Sequence, residues 1–371
     1  MKIIFLCGSL EPGRDGVGDY TRRLSAEIIR QGNEVSIIAL NDLQSTEILN
    51  EKQVSEGISI DVLRIPNNTP SKIRIQKVQD FINDYNPEWL SLQYVPFSFQ
   101  EKGLPFGLGS QLSKIGKGKK WHIMFHELWV GMDKEAPLKH FFWGKAQQMI
   151  VKDLNSKLRP QAIHTQSIMY QAQLNRLGLF PNHLPLFGNI PVVGIKNNEL
   201  NKNNKTLSFV VFGLIHHGAP IKKFISELVA YEKTNQVKTQ LIFIGRCGTE
   251  LDNWVNACKE ALIEVKVLGE QDPATISEVL INADWGISST PMFQIQKSGT
   301  VAAMFEHGLK VICVARNWTP SHLKISSSIE GVVEYKENKL ETILKDRDAN
   351  QLKIFLKNIA NDLVYDLDQY K

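Results

Sequence analysis

The sequence predicts an α/β protein of two tandem domains, each built on a parallel sheet. Short apolar runs alternate with helix-period windows along nearly the whole chain, which is the pattern of βαβ units. The alternation breaks once, at the asparagine- and lysine-rich stretch FGNIPVVGIKNNELNKNNKTL (187–207), and then restarts. The 371 residues, 43% hydrophobic, suffice for two cores of ordinary domain size. The expected division is 1–190 for the first domain, 191–206 for a linker and 207–345 for the second domain. Residues 346–371 are expected to be C-terminal helices able to pack back on the first domain.

The elements follow in order. KIIFLC (2–7) is a continuous apolar run, as a strand buried on both faces requires. In YTRRLSAEIIRQ (20–31), Tyr20, Leu24, Ile28 and Gln31 share one helical stripe, and Gly32 supplies a C-cap. EVSIIAL, ISIDVLRI, WLSLQYV and KWHIMFHE read as further strands, KVQDFINDY and YQAQLNRLG as helices. Beyond the linker, FVVFGLI, QLIFIG, EVKVLG, WGISST and KVICVA read as strands. FISELVAYEKT, DNWVNACKEAL, ISEVLINA and GTVAAMFEHG read as the helices between them. The end of the chain, from about Asp346, reads as a charged amphipathic helix pair.

Composition excludes several classes of function. A net charge of +4 suits an anionic small ligand or a weak membrane contact and is too small for nucleic acid. Cys7, Cys247, Cys258 and Cys313 lack metal spacing and read as buried, reduced thiols of a cytoplasmic protein. MKIIFLCGSL is too short an apolar run for a signal peptide, and no apolar stretch is long enough to span a bilayer. KHFFWGKAQQMIVKDLNSKLR mixes Phe141, Phe142 and Trp143 with lysines. Its aromatics are expected to pack inward, the alternative being a peripheral membrane contact.

Loops at strand ends carry the candidate chemistry, because ligands of parallel sheets bind beyond the carboxyl ends of the strands, in a cleft. In the first loop Gly16 and Gly18 allow backbone N–H groups to approach an anion or sugar at a helix start, with Arg14 and Asp15 at the tip. The same residues also read as a plain glycine-rich turn. A dinucleotide fingerprint needs a third glycine, which Gly16-Val17-Gly18-Asp19-Tyr20-Thr21 lacks, so no nicotinamide cofactor is expected. His126 and Glu127 follow one strand, Gln93 and Tyr94 end another, and His164 ends a third with a core role expected. Gln296-Lys297-Ser298-Gly299-Thr300 is a polar helix N-terminus, suited to a diphosphate or to a simple serine cap. His216, His217 and Arg246 sit in strand-to-helix loops as phosphate candidates. No acidic or cysteine ligand stands at chelating distance from the histidines, so no metal is expected.

GRDGVGDYTRRLSAEIIRQGNEVSII resembles the first βα unit of GT-B glycosyltransferases, family 4 in particular, with Gly32-Asn33-Glu34-Val35 as the "GHEV"-like turn. IGRCGTELDNW, VLGEQDPATISEVLINADWGISSTP and SGTVAAMFEHGLKVICV resemble the family's second half. The resemblance covers most of the chain and implies a GT-B fold: two Rossmann-like domains with parallel sheets facing across a cleft. It implies transfer of a sugar from a nucleotide-diphosphate donor to a glycan or lipid-linked hydroxyl acceptor, as in polysaccharide biosynthesis. It further implies retention of configuration, no cofactor, no essential metal, and a cytoplasmic protein able to sit at the inner face of a membrane. His126 would contact the donor sugar at the reacting centre. Gly16, Gly18, His216, His217, Arg246, Lys297, Ser298, Gly299 and Thr300 would border the donor diphosphate and sugar. Glu306 would hold the ribose, and Arg14, Asp15, Glu127 and Tyr94 would face the acceptor.

Two departures stand out. The family's paired glutamates fall on Ile295 and Ala303, with Glu306 one turn later and Ser298 eight residues before it. The family's arginine and lysine, both on the diphosphate, fall on Leu214 and Ala219. These losses keep open a non-catalytic GT-B binding or scaffold subunit, and the architecture keeps open a sugar-nucleotide epimerase.

Overall fold

The computed structural model describes residues 1–195, 206–323, 325–345 and 355–370. The chain divides into two compact units: Met1–Pro185 with Pro320–Leu323 and Phe355–Lys371, and Leu186–Thr319 with Lys324–Ile354. The first unit runs β1 (Lys2–Cys7), α1 (Gly16–Arg30), β2 (Glu34–Asp42), β3 (Leu49–Ser55), β4 (Ile58–Pro66), α2 (Ser71–Tyr85) and β5 (Trp89–Tyr94). It continues with α3 (Pro96–Phe99), α4 (Leu108–Leu112), β6 (Lys120–Phe125), α5 (Leu138–Leu158), β7 (Ala162–Thr165), α6 (Ile168–Asn175) and β8 (Asn182–His183). The strands form one sheet in the order β3-β4-β2-β1-β5-β6-β7-β8. Only β3 is antiparallel to its neighbour.

β1 lies centrally, so Ile3, Ile4, Phe5 and Leu6 are all buried and the continuous apolar run is explained. Tyr20, Leu24 and Ile28 of α1 bury the expected stripe, and Gly32 takes the left-handed conformation past its end. β3 was not expected. LNEKQVS is polar at most positions because it is an edge strand with little to bury. Its signal is the two-residue turn Glu56-Gly57, both at positive φ, that closes a hairpin with β4.

The loop between β1 and α1 is fixed by a buried ionic knot. Asp42, at the end of β2, accepts from Ser9 Oγ at 3.2 Å, Leu10 N at 3.2 Å and Arg64 Nε at 2.8 Å. Arg64 also reaches Glu11 at 2.6 Å. Burial works against the Asp42 charge, but Arg64 and the backbone donors outweigh it and hold the carboxyl below its usual range.

The second unit runs β9 (Thr206–Phe212), α7 (Ile221–Asn235), β10 (Lys238–Ile244), α8 (Leu251–Glu260), β11 (Glu264–Gly269), α9 (Pro273–Asn282) and β12 (Trp285–Ser288). A 3₁₀ turn (Met292–Lys297), α10 (Gly299–Glu306), β13 (Val311–Cys313), β14 (Val332–Glu334) and α11 (Leu340–Lys345) complete it. Its strands are all parallel, in the order β11-β10-β9-β12-β13-β14. Alternate residues of β9 feed separate cores, Phe209 and Val211 on one face and Val210 on the other. Asp284 accepts from Ser208 N and Ser208 Oγ at 2.8 and 2.9 Å and so ties the approach to β12 to β9.

The unit boundary falls at Leu186, a few residues before the expected one, because 186–195 pack on the second unit. A Cβ on Gly188 would lie 2.5 Å from Ala303 Cα, and Val193 exchanges hydrogen bonds with Ser277. Most of the expected linker, 196–205, lies outside the described residues. So do 346–354 of the expected terminal helix pair. The described helix there is α12 (Leu356–Asp368), which belongs to the first unit; α11 ends at Lys345, before that segment begins.

Asp42→Ala removes the most buried of the three carboxylates on Arg64, leaving Glu11 and Glu51, and frees the Ser9–Glu11 loop. The expected loss is about 1–3 kcal/mol, that of buried donors left unmatched, measured by urea unfolding. An unchanged midpoint would remove Asp42 as the anchor.

Candidate functional site

In the first unit the strand ends present His126 just past β6. Its Nε2 lies 2.8 Å from Gln93 Oε1, and its ring meets Tyr20 edge-on at 4.8 Å. The ring is 5% exposed. Burial pushes its pKa down to about 4, with Gln166 acting in the opposite direction, so the imidazole is neutral at physiological pH. Glu127, beside it, is half-buried and its backbone N–H reaches Tyr94 O at 3.4 Å.

The glycines of the first loop serve packing more than ligand approach. Asp15 is the N-cap of α1 and accepts from Gly18 N at 2.6 Å. That uses the N–H that the sequence reading offered to an anion. A Cβ on Gly18 would lie 2.8 Å from Ser9 O, which is why glycine stands there. Gly16 opens α1, and a Cβ there would meet nothing within 4 Å. Arg14 is exposed at the loop tip. Tyr94 requires correction. It is 0% exposed, packed against Phe99 and Phe125, and faces no acceptor. As the last residue of β5 it looked like a rim residue, but the strand end is covered by α3. The expected inward packing of the α5 aromatics holds for Trp143, half-buried against Phe97 with its Nε1 donating to Lys102 O at 2.9 Å, and is corrected for Phe141 and for Phe142, which is 69% exposed.

In the second unit the predicted residues at the start of α10 come together. Ser298 caps the helix, accepting from Val301 N at 3.4 Å, and its Oγ lies 3.1 Å from Thr300 Oγ1. Gly213, past β9, lies so close that a Cβ on it would sit 2.7 Å from Thr300 Cγ2. Gly299 has open space over its Cα. His216 is fixed by its backbone N–H, which donates to Ser289 Oγ at 2.7 Å. Its pKa is lowered by burial first, then by the positive charges of Lys297 and Arg316. Lys297 directly precedes the Ser298 cap, at a helix start whose dipole favours anions, and Arg316 lies beside Gly218, where an added Cβ would be 3.4 Å from Arg316 Cβ.

Arg316 was missed by the sequence reading. It follows β13, and the signal was available: it is a cation just past a strand end, the position that drew attention to Arg246. Arg246 itself pairs with Glu270 at 2.8 Å, and His217, with a side chain 89% exposed, pairs with Glu250 at 2.9 Å. Glu306 is the last residue of α10, half-buried. Ile295 and Ala303, where the resemblance would put carboxylates, are buried apolar residues of the core, so those charges have no room here.

No protein-family model matches the sequence, and no curated protein matches it. Solved structures match over the whole chain. HepE from Anabaena, in complex with UDP and glucose, is 14% identical with a TM-score of 0.59, covering 100% of both chains. Starch synthase IV from Arabidopsis thaliana, bound to ADP and acarbose, is 10% identical with a TM-score of 0.55, covering 100% of this chain and 98% of that one. UDP-GlcNAc 2-epimerase from Neisseria meningitidis, bound to UDP-GlcNAc, is 10% identical with a TM-score of 0.51, covering 100% of both. The fold is GT-B, two Rossmann-like units with parallel sheets, as the sequence predicted.

Three buried histidines make the first unit sensitive to acid. Burial lowers His122, His126 and His164 below 6.5, so the unfolded chain binds protons first as pH falls. Their contribution is fully present above pH 6.5 and is lost on acidification, for His126 between 6.5 and about 4. Urea midpoints should fall through that window, and less steeply in His126→Gln, where His122 and His164 still contribute. A midpoint independent of pH there would contradict the buried neutral state.

Proposed function

We propose that the protein is a glycosyltransferase that moves a sugar from a nucleotide-diphosphate donor to a hydroxyl acceptor, a glycan or lipid-linked glycan. The observation that carries this reading is the gathering of Lys297, Arg316 and His216 about the N-terminus of α10, beside the Ser298 and Thr300 hydroxyls. Two cations, a helix dipole and two hydroxyls suit a diphosphate, and the open space over Gly299 leaves its backbone approachable. The cations replace the pair that the resemblance would place at Leu214 and Ala219.

The chemistry asks little else of the protein. The bond from the anomeric carbon to the diphosphate breaks, the bond to the acceptor oxygen forms on the same face, and a donor phosphate oxygen takes the acceptor proton. Configuration is retained. The leaving diphosphate carries the developing negative charge, and the Lys297–Arg316 group stabilises it there without a metal or cofactor. Neutral His126 holds a sugar hydroxyl, as an uncharged imidazole can both donate and accept. Glu306 remains the ribose candidate, Gly16 and Arg14 border the ligand in the first unit, and Glu127 faces the acceptor.

The acceptor side has a lipid-surface candidate. Leu138, Phe142, Lys145, Met149 and Lys152 form one exposed stripe of α5, apolar and basic in alternation. Such a stripe suits the surface of a membrane with anionic lipids, where a lipid-linked acceptor would be presented.

Calorimetry with UDP, ADP and GDP, without metal, should find one that binds. Arg316→Ala or Lys297→Ala should weaken it roughly 10- to 100-fold, the loss of one charge-assisted contact. Wild-type affinity in both variants would remove the seat. Turnover of the matching nucleotide sugar should release nucleoside diphosphate. Return of an isomeric nucleotide sugar would mark an epimerase, and binding without turnover a scaffold. Vesicles of anionic lipid should retain the protein and zwitterionic ones release it, with Phe142→Ser/Met149→Ser lowering retention. Equal retention on both lipids would exclude the α5 surface.

A further inference from the structure

A line of buried polar side chains crosses the sheet of the first unit and ends at His126. Gln93 Oε1 lies 2.8 Å from His126 Nε2, and Gln93 Nε2 donates to Ser91 Oγ at 2.8 Å. Ser91 Oγ lies 2.7 Å from His122 Nδ1. His122 Nε2 lies 3.0 Å from His164 Nδ1, and His164 Nε2 lies 2.8 Å from Asp366 Oδ2. Gln93, Ser91, His122 and His164 are all buried, while Asp366, on α12, is 30% exposed. The sequence places them well. Ser91 and Gln93 alternate on β5, His122 and His126 keep the same parity from β6 into its following loop, and His164 sits on β7.

Hydrogen-bond chemistry gives this line one direction. An ionised carboxylate only accepts, so His164 presents Nε2–H to Asp366 and leaves Nδ1 as an acceptor. His122 must then donate from Nε2 and accept at Nδ1. The acceptor nitrogen of His122 takes the Ser91 hydroxyl proton, and the Ser91 oxygen accepts from the Gln93 amide. The Gln93 carbonyl is left to accept from His126 Nε2–H. Every donor points toward Asp366. The opposite direction would set the lone pair of His164 Nε2 against the carboxylate. The line does not conduct protons through its length, because the Gln93 amide neither gains nor gives up a proton at ordinary pH. It orients.

We propose that Asp366 is a positioning residue for His126: through five hydrogen bonds it fixes the proton on His126 Nε2 and so sets which ring nitrogen donates and which accepts. The consequence for turnover rests on the reading of His126 as a sugar contact. The tautomer does not. Asn182 Nδ2 also donates to Asp366 Oδ2, at 3.1 Å, which holds the carboxylate in place.

The test reads the His126 ring nitrogens by long-range proton–nitrogen correlation on the ¹⁵N-labelled full chain without ligand. In the wild type, Nε2 should be the protonated nitrogen and Nδ1 the bare one. Asp366→Ala removes the terminal acceptor, so the line can reverse and the His126 proton population should move toward Nδ1. Asp366→Asn keeps an oxygen acceptor and should restore the wild-type pattern. Asp362→Ala, which removes an exposed carboxylate from the same helix, should leave it unchanged. Ser91→Ala cuts the line inside the sheet and should give the same shift as Asp366→Ala, so the test survives if one variant fails to fold. An unaltered His126 tautomer in Asp366→Ala or in Ser91→Ala overturns the proposal. With a nucleotide-sugar substrate in hand, kcat should fall several-fold in Asp366→Ala with KM nearly constant, and recover in Asp366→Asn. A shifted tautomer with unchanged kcat would keep the relay and remove His126 from the sugar site.

Discussion

The carboxylate of Asp42 is the constraint on which the rim of the first unit depends. It is buried, so it must be matched, and its partners are the loop that leaves β1 and the guanidinium of β4. With Ser9 and Leu10 fixed in this way, the start of α1 has one place to go, and Gly18 must be glycine because Ser9 O occupies the space of a side chain. Asp15 then spends its carboxylate on the Gly18 N–H. A loop that reads as a ligand cradle is, in its inner half, a packed strand-to-helix joint, and only its outer half, at Gly16 and Arg14, stays open.

Both units bury polar side chains and match them. The first carries serine, glutamine and histidines inside its sheet and passes hydrogen bonds sideways from strand to strand until they reach a carboxylate at the surface. Each neutral link avoids the cost of a buried charge. The second unit buries His307 against Ser277 Oγ, at 2.9 Å, and keeps Ile295 and Ala303 apolar where the resemblance would place carboxylates.

The element pattern was legible because burial on a parallel sheet forces apolar runs and helical stripes into the sequence. KIIFLC, QLIFIG and the Tyr20–Leu24–Ile28 stripe all stand where expected. β3 was not legible as an apolar run, since an edge strand has no buried face to advertise. The start of α10 was legible as well, because a cap, a glycine and a cation in five residues are local chemistry. Arg316 was not, because its relation to Lys297 and His216 spans three separate strand ends.

The sequence by itself determined the fold class, the two-unit organisation, the polar helix start at Ser298 and the histidine at the end of β6. These are written in short windows, by periodicity and capping. The tertiary structure alone decided that Tyr94 is core, that Gly18 is a packing glycine and that Phe141 and Phe142 of α5 face outward. It also decided that Asp366 stands at the end of a line from His126. Those facts depend on which distant residues meet. Meeting is decided by strand order and sheet coverage, which no local window of sequence contains.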